Sequence, residues 1–291
     1  MARRRYDDDY DDDYDDRPRR PRRPQKRRRF EDDYDDDYDD RPRRPRKKSG
    51  GGMLPIILIV GLVALLGVGT VAFFGWQGYS NAKARQYSAN NMKQIALAMH
   101  NFHDAQIGFP RAASATQDGR PGLSWRVSLA PYLEEPGVYN LADFSKPWDD
   151  PRNTQLADRM PDVYRHPKGD APPGHTYYQV VVGPRTMFQL PEQGSRPGEQ
   201  SGVRIQGVPD GTSNTILVVE AATPVPWSQP LDLTFEEGRP LPEFGFHLWD
   251  GDGAHVAFVD GSVMFPSPEE LHDQVTRAML GRDDGLVVDL R

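Results

Sequence analysis

Only a few groups of side chains in this 291-residue chain have types and spacings that could do chemistry. His100 and His103, three apart with Asp104 beside them, could share a metal ion, but two ligands do not close a site. Bonding of the two rings to the following loop is the expected role. Asp250-Gly251-Asp252-Gly253, followed by Asp260, offers carboxylate oxygens on a Gly-rich turn, the ligand class of Ca²⁺. The spacing is not that of an EF-hand, because glycine follows the second Asp at once and no Glu closes the loop. His255, Asp260 and Ser262 are the residue types of a hydrolytic triad, yet they fall within eight residues on one expected hairpin, without a nucleophile elbow. The Ser262 hydroxyl is expected to stabilise the turn instead. In Asp210-Gly211-Thr212-Ser213-Asn214, small polar side chains can bond nearby amides, which makes an ordered corner rather than a phosphate cradle. Glu220 closes an apolar run, and a carboxylate buried there needs a partner. With no cysteine, disulfides, thiolate metal sites and cysteine nucleophiles are excluded. There is no P-loop, dinucleotide fingerprint or HExxH, so no catalysis is expected, and no cofactor beyond the Ca²⁺ candidate.

The elements that would position these groups read as α+β. Strand-like runs occupy His175–Val182, Val203–Gln206, Thr215–Glu220, His255–Val259 and Ser262–Phe265, several of them rich in β-branched and aromatic residues. Asp260-Gly261 has the residues of a two-residue type I′ hairpin loop. Ser267, Pro268 and Glu270 form a capping box for a last helix, with Leu271, Val275 and Met279 as its buried stripe and Gly281 as its end. An edge strand is expected over Gly285–Leu290, and the Pro- and Gly-dense stretches 183–201 and 222–246 read as surface loops.

The rest of the chain is organised by charge. Residues 3–23 recur at 27–47 with three changes, each copy joining an acidic Tyr-spaced block to an Arg-Pro block. Residues 1–52 therefore read as a disordered tail, since they have almost no aliphatic surface to bury against the cost of ordering. Nucleic acid is not the expected partner, because the Asp blocks compete for the same guanidinium groups; a solvated, weakly self-associating polyampholyte is expected, with Arg43, Arg44, Arg46, Lys47 and Lys48 beside the membrane favouring anionic lipid. Leu54–Phe74 is 21 residues without a charge, long enough at about 1.5 Å per residue to cross a hydrocarbon core of about 30 Å. Residues 53–82 are thus read as a transmembrane helix with its juxtamembrane turn. The basic excess lies on the N-terminal side, and Trp76 and Tyr79 suit the opposite interface, which puts the tail in the cytoplasm and residues 83–291 outside the cytoplasmic membrane. No proline occurs between Pro55 and Pro110, and Met92, Ile95, Met99 and Phe102 keep a helical spacing, so the helix should continue as the spine of the exported domain.

The segments NNMKQIALAMHNFHDAQIGFP (90–110), LSWRVSLAPYLEEPGVYN (123–140), KPWDDPRN (146–153), MPDVYRHP (160–167), TYYQVVVGP (176–184), VPDGTSNTILVVEAATPVPW (208–227) and GAHVAFVDGSVMF (253–265) resemble the bacterial domain of unknown function 1559 family. The resemblance implies a pilin-like or pseudopilin-like fold, a long N-terminal helix laid on an antiparallel sheet, with other envelope or pilin-like proteins as partners. It departs from the family's prepilin-type start, because Ile57 stands where that start has Glu. At the family's C-terminal signature, Asp250 stands where His is expected ten positions before Asp260-Gly261. The function expected is a membrane-anchored structural or interaction module of the envelope. A calcium- or glycan-binding surface module, or an envelope hydrolase, is the alternative.

Overall fold

The computed structural model describes residues 53–288. The tail repeat expected over 1–52 lies outside them, as do the last residues of the expected edge strand; the part that is described, 285–288, forms no strand. One helix, α1 (Met53–Gln106), opens the described chain. Its composition changes along its length. From Leu58 to Tyr79 the described side chains are exposed, including Leu65 and Val71 at 74% each. From Ser88 onward one face turns inward, and Met92, Ile95, Met99 and Phe102 are buried at the expected spacing. The helix stops at Ile107, whose φ of 60° is expensive for a β-branched residue. The chain beyond fixes this turn: Phe109 N–H donates to Val203 O, and a Cβ on Gly108 would meet Gly202 O at 2.7 Å.

Next come β1 (Ala113–Ala115) and β2 (Pro121–Ser124), an antiparallel pair, and two short helices, α2 (Trp125–Ser128) and α3 (Pro136–Leu141). The remaining strands are β3 (His175–Gln179), β4 (Val181–Val182), β5 (Ile216–Pro226), β6 (Leu233–Thr234), β7 (Val256–Phe258) and β8 (Val263–Met264), followed by α4 (Asp273–Leu280). Strands β3, β5, β7 and β8 make an antiparallel sheet in the order β3-β5-β7-β8, and β4 pairs with β6 in parallel. Strand β5 is central and covered on both faces, which is why its sequence is a continuous apolar run rather than an alternation. Leu217 and Val218 join the α1 side of the core, while Ile216 and Val219 join Leu271, Met279 and Leu280 on the α4 side. Two successive residues can share a face because the β5–β7 register shifts between Ile216 and Val218. The protein is thus mixed α+β, a long N-terminal helix with antiparallel sheets.

Several local expectations are corrected. Val203–Gln206 is not a strand. Its backbone bonds serve the end of α1, with Val203 O accepting from Phe109 and Ile205 N–H donating to His103 Nε2, and a 3-10 turn follows at Ile205–Gly207. The run His175–Val182 breaks at Val180, whose N–H donates to Asp232 Oδ1 instead of to a neighbouring strand. The loop between β7 and β8 is not type I′. Phe258 N–H donates to Ser262 O and Gly261 N–H to Phe258 O, so three residues form the loop and only Gly261 has positive φ, 83°. The capping box does form, with Ser267 N–H donating to Glu270 and Glu270 N–H to Ser267 Oγ, but it closes a turn before α4, which starts at Asp273. The stretches read as surface loops bury Met187, Phe188, Trp227 and Phe235 and contain the end of β5 and all of β6.

Candidate functional site

The most concentrated chemistry lies around Glu220. Strand β5 carries this carboxylate into the gap between the sheet and α1, where it has no solvent exposure. Oε1 accepts hydrogen bonds from Ser88 Oγ of α1, from His166 Nε2 at 2.8 Å and from His255 Nδ1 at 3.0 Å. Oε2 accepts from Trp249 Nε1 and from the His255 backbone N–H, both at 2.7 Å. Five donors meet a group with roughly four lone-pair sites, so the carboxylate is saturated. The donors come from α1, the loop before β3, the 3-10 turn Phe246–Trp249 and the start of β7. Because Ser88 gives its proton to Glu220, its oxygen is free to accept from the Tyr178 hydroxyl of β3 at 2.8 Å. Asn91 Nδ2 adds a bond to Arg165 O at 3.2 Å.

Aromatic rings wall the carboxylate off from water. The His166 ring lies 5.5 Å from both Trp249 and Tyr178, and the His255 ring 4.7 Å from Phe265. Burial alone would push the Glu220 carboxyl upward, but the bonds from His166 and His255 outweigh it and hold the group well below the usual carboxylate range. Burial, reinforced by the Glu220 charge, pushes the Tyr178 phenol upward. The arrangement leaves no acceptor for an incoming substrate. It fastens α1 to the sheet through a charge that every neighbouring element needs.

An outer ring of contacts on α1 sits N-terminal to this hub. Arg85 pairs with Asp252, its guanidinium 4.6 Å from the Phe265 ring centroid, and Lys168 Nζ donates to Asn81 Oδ1 at 2.6 Å. A second buried charge lies on the far side of β3. Arg126 of α2 is fully buried, donates to Asp232 Oδ1 at 2.6 Å and to Tyr178 O through Nε and Nη2, and lies 4.7 Å from the Trp125 ring centroid.

The residues singled out in the sequence fall at separate places. His100 Nε2 meets Val259 O at 2.8 Å and His103 Nε2 accepts from Ile205, while both rings lie against Phe109 of the following loop. Asp250 takes a left-handed φ of 59° at the end of a 3-10 turn, Asp252 is engaged by Arg85, and Asp260 Oδ1 accepts the Ser262 N–H. Among the described residues no three His, Cys, Asp or Glu side chains are placed to hold a metal. The Ser262 hydroxyl does not stabilise the turn as expected; it is buried without a partner, and the backbone amide makes the bond to Asp260. Asp210, Gly211 and Asn214 form the ordered corner: Asn214 Nδ2 donates to Asp210 O, and the Asp210 carboxylate accepts from the amides of Asp284 and Gly285. Glu220 meets His255 from the same set, whereas its other side-chain partners Ser88, His166 and Trp249 carry no local signal that sequence reasoning could have used.

Comparison with curated proteins finds no match, and comparison with solved structures finds none either. Ser88, His166, Tyr178 and Glu220 fall inside the region matched by a family model, whereas Trp249, His255 and the 253–265 segment lie beyond it. Because that model, for proteins of unknown function designated DUF1559, matches residues 82–239, more than half of the chain, this protein belongs to the DUF1559 family.

Proposed function

We propose that the protein is a single-pass membrane-anchored module that holds a pilin-like α+β domain outside the cytoplasmic membrane, as a structural or interaction component of the envelope. The observation that carries this reading is the change of character along α1. Its apolar, exposed part is long and apolar enough to cross a membrane, with a mean hydropathy of 2.4 and none of that window buried. Its later part is the spine of the folded domain. The hub at Glu220 supports a mechanical role, because it fixes the helix to the sheet at Ser88, between two and three helical turns after Tyr79 of the aromatic pair Trp76 and Tyr79 suited to an interface. A helix fastened this close to its exit transmits its position to the domain rather than serving as a loose tether.

Orientation follows from the charge distribution, with the Arg-rich side of the span in the cytoplasm. Protease added to spheroplasts and to broken cells tests it. Residues beyond 83 are expected to be cleaved in intact spheroplasts while a tag at the N-terminus survives until lysis, and the reverse pattern would overturn the orientation. Extraction into carbonate without detergent would overturn the anchor itself.

A further inference from the structure

A cleft of about 400 Å³ opens beside the hub, lined by the loop that precedes β3 and by the 157–160 turn. This volume is within the range of small-molecule sites. Its polar groups are of both signs. Asp158 has no ion pair or hydrogen bond among the described residues, and the neighbouring Ala157 carbonyl accepts no bond there either. Arg165 makes only a 3.5 Å contact to an exposed Asp162, so its guanidinium is available. His175 lies on the wall, its Nδ1 3.1 Å from Pro173 O. The His166 ring, 1% exposed, forms the floor and is held by Glu220 behind it. Gly174 keeps the Ala157 carbonyl uncovered: its φ is 72°, and a Cβ there would come within 2.7 Å of that oxygen.

We propose that this cleft binds a small zwitterion, an α-amino acid or a short peptide with both ends free. Asp158 and the Ala157 carbonyl meet the ammonium group, Arg165 meets the carboxylate, and the ordered His166 ring defines the depth. A purely anionic ligand would face the uncompensated Asp158, and a purely cationic one would face Arg165, so a molecule carrying both charges suits the lining best. The site does not depend on the membrane reading, because every group named lies in the folded domain.

Calorimetric titration of the full chain in detergent micelles tests the proposal with alanine, L-alanyl-L-alanine, its N-acetylated form, and a form blocked at both ends. Saturable binding of alanine or the free dipeptide is expected, with the doubly blocked peptide weaker by about tenfold or more, equivalent to about 1.4 kcal/mol. Asp158→Asn should weaken the free dipeptide but tighten the N-acetylated one, an anion that no longer faces the Asp158 charge. Arg165→Gln should weaken both. Both positions are exposed, and an unchanged melting temperature certifies the variants; the comparison of blocked with free peptide on the unaltered chain decides the matter if either fails to fold. Absence of saturable heat from alanine and free dipeptide, equal binding of the blocked peptide, or well-folded variants that bind like the parent would each overturn the site.

Discussion

Glu220 and Asp232 are carboxylates whose side chains have at most 1% exposure, on opposite sides of β3, and Tyr178 touches the surroundings of both. They solve burial differently. Glu220 uses both oxygens, with three donors on one and two on the other, and its carboxyl is held low. Asp232 takes bonds from Arg126, Trp125 Nε1 and Val180 N–H all on Oδ1, while Oδ2 is buried without a partner. Burial pushes its carboxyl upward, and the guanidinium and donors only partly oppose that. A full-charge neighbour is therefore not what makes a buried carboxylate comfortable. Donors to every lone pair do so, because each unmet lone pair keeps the desolvation penalty that the ion pair was meant to offset.

The largest effect expected from this contrast is at the saturated site. Glu220→Gln would turn an NH₂ group toward donors that need an acceptor, orphaning them and releasing Ser88 from the sheet. A loss of about 4 kcal/mol is expected, or about 8–16 °C in melting temperature for a domain of this size, measured on the full chain in micelles. A loss below about 1 kcal/mol would mean that the hub is packing rather than electrostatics.

Acid separates the two carboxylates by sign. The Glu220 carboxyl is held below the ordinary glutamate value of 4.5, so its contribution is present above that pH and is lost as the pH falls toward the native value. Asp232 is raised from 3.8, so its contribution is complete below that pH and is lost as the pH rises through the raised native value. Below about pH 4.5, Glu220 should cost up to about 1.4 kcal/mol per pH unit, with Asp232 partly offsetting it. Unfolding titrations should therefore show a shallower acid limb in Glu220→Gln and a steeper one in Asp232→Asn. Parallel limbs in both variants would remove the distinction.

The two sites were not equally legible. Glu220 stands out because it ends the apolar run TILVVE, where a charge can only be buried. Nothing local marks His166, which lies 54 residues away between Arg165 and Pro167 in a loop without periodicity, or Ser88, which is 132 residues away on a helix. Arg126 interrupts the apolar run LSWRVSLA and carried a comparable signal, but its partner Asp232 sits in a stretch that reads as loop. The elements with a local cause, α1 and the apolar first half of β5 up to Glu220, follow from pattern alone. What long-range bonding decided, such as the break at Val180 forced by Asp232 and the 3-10 turn at Ile205, did not. The hairpin loop differs for a similar reason: bonds from Val259 N–H to Thr215 O and from Asp260 N–H to Thr212 O hold residues that a free two-residue turn would have released.

The smallest effect expected is also the most discriminating. Replacing both members of the second pair with apolar residues, Arg126→Met with Asp232→Leu, removes the desolvation of two charges and the unmet Oδ2 together. The cost is the bonds that Arg126 gives to Tyr178 O and Ser124 Oγ and those that Trp125 Nε1 and Val180 N–H give to Asp232. Swaps of this kind are often neutral or stabilising by about 1–4 kcal/mol. Here the orphaned Tyr178 carbonyl, Val180 amide and Trp125 indole N–H oppose the gain, at upwards of about 1 kcal/mol each, so a net loss of about 2 kcal/mol, smaller than that of Glu220→Gln, is expected. Single replacement of Arg126 by Met should be worse than the double, since it leaves Asp232 buried with no counter-charge. A double variant as damaged as Glu220→Gln would show that the Arg126–Asp232 pair is as indispensable as the hub, and the contrast between saturated and unsaturated carboxylates would then not govern the stability of this fold.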